Sequence, residues 1–215
     1  DHVLDLERLI TKVVYGSANG KDLRAIAATT AVLPDIRKLL EGRSSEKLRE
    51  LFAGFDLLTD INTLISSAIA EDAPFSVSEG GIIAAGYNED VDKLRSVMTD
   101  SRGWLDRMLE TEKQETGIKT LKIGYNRVFG YYLEVSKSMT DQVPDRYIRK
   151  QTLVNGERYI TEELKEMEAT ILGASDRVCA LEYELFQKVR TTVADASDRI
   201  QKTAALLSEL DVYLS

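Results

Sequence analysis

In 215 residues this chain has one histidine, one cysteine, one tryptophan and three prolines, and each scarcity excludes something. With His2 as the lone imidazole there is no two-histidine zinc site, no Ser-His-Asp triad and no Cys–His nucleophile pair. Cys179 alone cannot form an intramolecular disulfide, which suits a reducing, cytoplasmic setting. No run of about 18 apolar residues is present to span a membrane, and no signal-peptide pattern opens the chain. Phosphate loops are missing too. "TGIKTL" fails the G-x-x-x-x-G-K-S/T spacing, and "SEGGIIAAG" fails G-x-G-x-x-G, so it reads as a turn. The acidic pairs Glu89/Asp90 and Glu162/Glu163 fall at helix starts, where the macrodipole favours them, and read as capping charge rather than catalytic carboxylates. No self-contained active site is expected.

What the chain does have is charge, unevenly spread. Its net −8 argues against nucleic acid or an anionic membrane as a partner. Residues 117–160 reverse that sign: Lys119, Lys122, Arg127, Lys137, Arg146, Arg149, Lys150 and Arg158 oppose Glu134, Asp141, Asp145 and Glu157. The segment carries +4 and leaves −12 on the remainder. A basic island inside an acidic chain is a local feature that the mean conceals.

Helical periodicity dominates elsewhere. Leu4, Leu6, Leu9, Ile10 and Val13 lie at helical spacing before Gly16 and Gly20. "KDLRAIAATTAVLPDIRKLLEG" predicts a helix bent or restarted at Pro34 and stopped at Gly42. "SSEKLRELFAGFDLLTDINTLISSAIA" holds one or two more, and "DAPFSVSEGGIIAAGY" reads as a loop with a short strand. Asn88 is placed to cap a helix that ends at Gly117, with Val91, Leu94, Met98, Leu105 and Met108 on one seam and Ser101 as its polar exception. Thr161 is placed to cap a second long helix with Leu164, Met167, Ile171, Ala174, Val178, Leu181 and Leu185 at heptad spacing, as in a coiled coil. Short connections favour antiparallel neighbours. The expected arrangement is therefore an outgoing helix, a small sheet at its tip and a returning helix. Both ends of the chain read as cut from something longer, since it opens and closes on helical periodicity without an initiating Met.

Between those helices, "LKIGYNRVFGYYLEVSK" alternates like β-strand. Leu121, Ile123 and Tyr125 share one strand face, Tyr131, Leu133 and Val135 the next, with "NRVFG" as the turn and "MTDQVPD" as a loop. "YIRKQTL" and "RYIT" flank "VNG", where Asn155-Gly156 is a strong hairpin signal. Five of the nine tyrosines fall here, enough to give a four-stranded antiparallel sheet its own small core. The cations in and beside the turns, together with Asn126 and Asn155, suit phosphate-oxygen contacts. A solvated face is the plainer alternative for them.

These same residues resemble the MutS family of DNA mismatch-repair proteins. The likeness is carried by "LKIGYNRVFGYYLEVSKS", "YIRKQTLVNGERYITEELKEMEATIL", "LEYELF", "DLERLITKVVYGSANGKDLRAI", "LPDIRKLL", "GIIAAGYNEDVDKLR" and "ALLSELDVYLS". It extends over essentially the whole chain. Two positions depart from the family's habit, Gly156 for alanine and Glu162 for proline.

The resemblance implies a mostly α fold: a helical core, long antiparallel lever helices and a small antiparallel β-sheet clamp at their tip. The implied boundaries are 1–87 for the core, 88–116 for the outgoing helix, 117–160 for the clamp sheet and 161–215 for the returning helix. It implies duplex DNA, mismatched in the family's substrates, as partner, held without sequence reading by backbone contacts. Asn126, Arg127, Arg149, Lys150, Asn155 and Arg158 match positions in or beside the clamp turns, with Lys137 added. A second MutS-type subunit and a MutL-type repair partner are implied for the full-length protein, and no membrane. ATP and Mg belong to the parent family's nucleotide site, which the resemblance places beyond Ser215, and the mismatch-reading Phe-x-Glu motif to an N-terminal domain outside these residues. The implied fragment is therefore non-enzymatic, with no cofactor or metal of its own. Two rival readings remain open: a scaffold whose basic tip docks on an acidic protein, and a hydrolase with paired carboxylates.

Overall fold

The structure, a computed structural model, describes residues 5–41 and 45–214. His2, Leu4 and the stop expected at Gly42 lie outside the described residues. The fold is mostly α with one small antiparallel sheet, as the periodicities predict. The chain divides into two compact units, one formed by Asp1–Glu89 and Cys179–Ser215, the other by Asp90–Val178.

The first unit is helical. α1 (Leu6–Val14) starts where the Asp5 carboxylate accepts from the Arg8 amide at 2.9 Å, and buries Leu6, Leu9, Ile10 and Val13. α2 (Gly20–Ala31) opens with a reciprocal capping box between Asn19 and Asp22. Pro34 restarts the chain rather than bending it. α3 (Leu33–Leu40) carries the proline in its first turn, where a missing N–H costs nothing. α4 (Glu46–Gly54) and α5 (Thr59–Ala68) follow, and the strand expected in the glycine-rich loop is a single bridge between Ile69 and Ile83.

The second unit holds α6 (Glu89–Thr116), the strands β1 (Lys122–Asn126), β2 (Gly130–Ser136), β3 (Ile148–Thr152) and β4 (Gly156–Ile160), and the first part of α7 (Glu162–Asp195). α6 ends at Gly117, whose φ of +73° suits glycine, and Thr161 accepts from the Leu164 amide at 3.2 Å as α7 begins. The expected loop "MTDQVPD" is partly a 3₁₀ turn over Lys137–Gln142. Leu105, Met108, Leu164 and Ile171 from the two helices bury against Leu133, Val135, Tyr147 and Tyr159 from the sheet and its approach.

Two expectations for the returning helix need correction. The heptad seam holds through Leu164, Ile171, Ala174 and Val178. Beyond that point Leu181 and Leu185 are only half-buried, and the buried stripe passes to Glu182, Phe186, Val189 and Val193. Two successive steps of four, Val178 to Glu182 to Phe186, shift the stripe off the heptad as the helix enters a multi-helix core. Nor does one helix reach the C-terminus: α7 stops at Asp195, and α8 (Ser197–Leu214) begins after Ala196.

α8 is fastened to the loop before α5 and to its first turn by Arg199, which donates to Asp56 and Asp60 at 2.7–3.3 Å. That guanidinium holds both carboxyls below the usual carboxylate range, against a smaller burial effect that raises them. All three side chains are well exposed, so the pairing contributes only about 1 kcal/mol. Because the folded values are depressed, this stability is present above the unfolded pKa near ~4 and is lost as pH falls through the folded values. Arg199→Ala should therefore cost about 1 kcal/mol in urea unfolding at pH 7. The difference from the parent should shrink as the pH is taken below that range, and a gap that persists in acid would contradict this account.

Candidate nucleic-acid interface

The strand order β1-β2-β4-β3 places β2 and β4 in the centre and leaves β3 at an edge. The pairings Ile123↔Leu133, Leu133↔Tyr159 and Tyr125↔Tyr131 put those side chains on the face that meets the helices, as alternation predicts. Lys122, Gly124, Tyr132, Glu134 and Arg158 share the opposite face.

On the helix side a buried carboxylate anchors the approach to β3. Glu112, 5% exposed in the last turn of α6, accepts from the Tyr147 hydroxyl at 2.7 Å and from Arg146 at 2.8 Å, and Arg146 also reaches Glu115. Burial, and then this carboxylate, push the Tyr147 hydroxyl far above the usual tyrosine range. Burial also raises Tyr159, with help from Glu157, to about 12. A second carboxylate holds the β1–β2 turn. Glu168 of α7 accepts from the Tyr131 amide at 2.9 Å and lies directly against Gly130, whose φ is +81°.

On the opposite face the side chains form a stack. Tyr132 covers Gly124, where an added Cβ would come within 2.5 Å of the ring, and Arg158 lies over Tyr132 at 4.3 Å. Arg158 also donates to Glu134 at 3.0 Å and to Gln151 at 2.9 Å.

The seven residues expected to contact phosphate are therefore not one cluster. Asn126 and Arg127 occupy the β1–β2 turn at one end of the sheet. The β3–β4 turn with Asn155, and Lys137 beside it, occupy the other, where the Lys137 amide donates to the Asn155 carbonyl at 3.0 Å. β2 alone separates the two ends by roughly 20 Å. Asn126 shapes its own turn by accepting from the Val128 amide at 2.7 Å, while Arg127 is exposed. Arg149 registers with Tyr159 on the helix-side face and makes a long contact of 3.4 Å to Glu157. Lys150 sits in a β-bulge on the edge strand, beside an open groove of about 450 Å³ that Lys165, Glu162 and Glu166 also line.

The Asn155 end also holds two further cations of the basic island, Lys119 and Lys122. The loop before β1, the end of β2 and the β3–β4 turn meet here, tied by the Thr120 and Ser136 hydroxyls at 2.7 Å and by the Ser136↔Gly156 pairing. Lys119, Lys122 and Lys137 are all exposed, and among the described residues none has an ion-pair partner. The signal in sequence was only their shared sign, since long-range pairing brings them together. The Asn155-Gly156 turn also differs from expectation. Neither Val154 nor Asn155 has a positive φ, so this is not the mirror-image turn that the dipeptide favours. Gly156 is instead required by a close approach: a Cβ there would lie 2.5 Å from the Val135 carbonyl oxygen.

Comparison with known proteins adds a second line of evidence. Residues 86–177 match the model described as MutS family domain IV. The DNA mismatch repair protein MutS of Caldicellulosiruptor bescii is 51% identical over 211 residues, 98% of this chain and 24% of the relative. Those of Halothermothrix orenii and Acetivibrio thermocellus are 47% and 49% identical over 213 residues, each covering 99% of this chain and 24% of the relative. The chain thus spans about a quarter of the length of the curated relatives it matches.

The turn geometry yields a double-mutant test. Gly130→Ala must adopt a left-handed conformation and displace the Glu168 carboxylate from the Tyr131 amide, at a cost on the order of 2–4 kcal/mol. In a Glu168→Ala background the same substitution should cost measurably less in urea unfolding, because the carboxylate it collides with is gone. Additive costs would show that Glu168 and Gly130 are not coupled.

Proposed function

Because this chain belongs to the MutS family of DNA mismatch-repair proteins, we propose that its sheet is the part that grips duplex DNA by the phosphate backbone. The observation carrying this reading is the charge on the sheet. Lys119, Lys122 and Lys137 gather with Asn155, Thr120 and Ser136 at one end, and the acids nearest to them, Glu134 and Glu157, are paired with Arg158 and Arg149. The other end offers Arg127, but Glu168 is placed at its turn. The Asn155 end therefore supplies the principal backbone contacts, with Arg127 and Lys150 secondary. Asn126 and Arg158 act mainly by holding turn and strand geometry. Contacts of this kind position a duplex and do not read its sequence.

In the whole protein, nucleotide-driven movement of the helices would open and close this grip, with a second MutS-type subunit supplying the opposing clamp and a MutL-type partner acting downstream. ATP turnover belongs to that whole protein. Among the described residues no group of three or more His, Cys, Asp or Glu side chains is placed to hold a metal ion. The chain also lacks a phosphate loop, so its residues do not fit Mg–ATP and no step is assigned to them.

The test is fluorescence anisotropy of matched and mismatched duplexes with this chain at low salt, where affinities of about 10⁻⁴–10⁻⁶ M are typical of non-specific binding. Lys119→Glu/Lys137→Glu should weaken both duplexes equally and lower the slope of log K against log salt by about 1 per lysine. Arg127→Glu should have the smaller effect. A loss confined to mismatched DNA would contradict a backbone grip. Binding that resists competition by unlabelled duplex but yields to an acidic protein would favour a docking scaffold instead.

A further inference from the structure

One buried charge belongs to the helical unit and not to the sheet. Glu182 is 1% exposed and occupies a position in the buried stripe of α7 between Val178 and Phe186. An apolar side chain would suit that stripe, and burying a carboxylate costs several kcal/mol unless it is well partnered. Glu182 Oε2 accepts from two consecutive backbone amides, Ile82 at 2.7 Å and Ile83 at 3.2 Å. Both isoleucines are themselves buried.

The local backbone is shaped for this. Gly80 and Gly81 both have φ of +78°, a conformation that other residues rarely adopt, and they turn the chain so that two successive N–H groups face one acceptor. Gly80 is also tight against α7, since a Cβ there would lie 3.1 Å from the Cys179 sulfur. On the far side, Ala70 donates to the Ile82 carbonyl at 3.0 Å and Ala84 to the Ala68 carbonyl at 2.8 Å. Residues 80–84 are thus held between α7 and the end of α5.

The position of this bond in the chain gives it a role. The polypeptide leaves the helical unit after Glu89 and re-enters it at Cys179, inside α7. Ile82 and Ile83 precede the exit by only a few residues, and Glu182 follows the re-entry by less than one helical turn. We propose that Glu182 is a positioning residue, a clasp that fastens the outgoing and returning segments to each other where they join the helical unit. Displacement of α7 then carries the start of α6 with it instead of being absorbed in the glycine-rich loop. This inference is independent of the DNA-binding reading.

The test uses the whole chain in a Cys179→Ser background, with spin labels at Ser66→Cys in α5 and Asp106→Cys in α6, read by pulsed dipolar spectroscopy. A control pair, Ser66→Cys and Lys202→Cys, lies within the helical unit. Glu182→Leu should broaden the first distance distribution and leave the control unchanged, while Glu182→Gln, which keeps an acceptor oxygen, should restore most of the parent's width. Glu182→Asp, too short to reach both amides, keeps the test decisive if the leucine variant does not fold. It should broaden the same distribution and speed hydrogen exchange at Ile82 and Ile83 by about tenfold. A folded Glu182→Asp or Glu182→Leu variant with the parent's width would overturn the proposal. Equal broadening of both pairs would also overturn it, by making Glu182 a support of the core alone.

Discussion

Glu112 is a helix residue on which the sheet depends. Its carboxylate is buried near the end of α6 and, among the described residues, accepts from the segment that enters β3, through Arg146 and the Tyr147 hydroxyl. Removing the Tyr147 hydroxyl would take a donor from a buried carboxylate, a loss of about 1–3 kcal/mol. The contact fixes how the sheet is approached from the 3₁₀ turn, and it brings the Tyr147 ring within 5.8 Å of Tyr159 on β4. Glu168 does the same for the β1–β2 turn from α7. A four-stranded sheet with one buried face is too small to be stable alone. Two helix-borne carboxylates and the apolar residues around them supply what it lacks.

With one face committed to the helices, the charges are left for the edges and the other face, and they are not equivalent there. Arg158 is paired with Glu134 and stacked on Tyr132, so it stiffens the sheet more than it advertises positive charge. Among the described residues, the lysines at the Asn155 end have no such partners. A grip that must hold any duplex is better served by mobile ammonium groups on a rigid platform than by guanidinium groups locked into pairs. Glu182 extends this use of helix-borne carboxylates to the helical unit, where it accepts from two consecutive backbone amides.

The elements were largely legible in the sequence because each rests on local rules. The seam of α6, the cap at Thr161, the restart at Pro34 and the alternation of β1 and β2 all follow from spacing and side-chain chemistry within a few residues. The site was legible in composition but not in arrangement. Asn126 and Asn155 look alike in sequence, yet strand pairing puts them at opposite ends, and only pairing brings Lys119 beside Lys137. Glu182 was missed for a related reason. Its neighbours Leu181 and Leu185 continue the heptad, and nothing local says that the helix changes partners there. Gly156 carried a turn signal whose real cause was a carbonyl on another strand.

The central claim, that the lysine-bearing Asn155 end of the sheet meets the duplex backbone, is tested most directly by mapping. Amide chemical shifts of the ¹⁵N-labelled chain would be followed as a short matched duplex is added at low salt. The account predicts perturbations concentrated at Lys119–Lys122, Ser136–Lys137 and Val154–Gly156, with lesser changes around Arg127 and few among residues 5–41. Perturbations centred on the helical unit, or on the Glu168 end of the sheet with the Asn155 end silent, would contradict it.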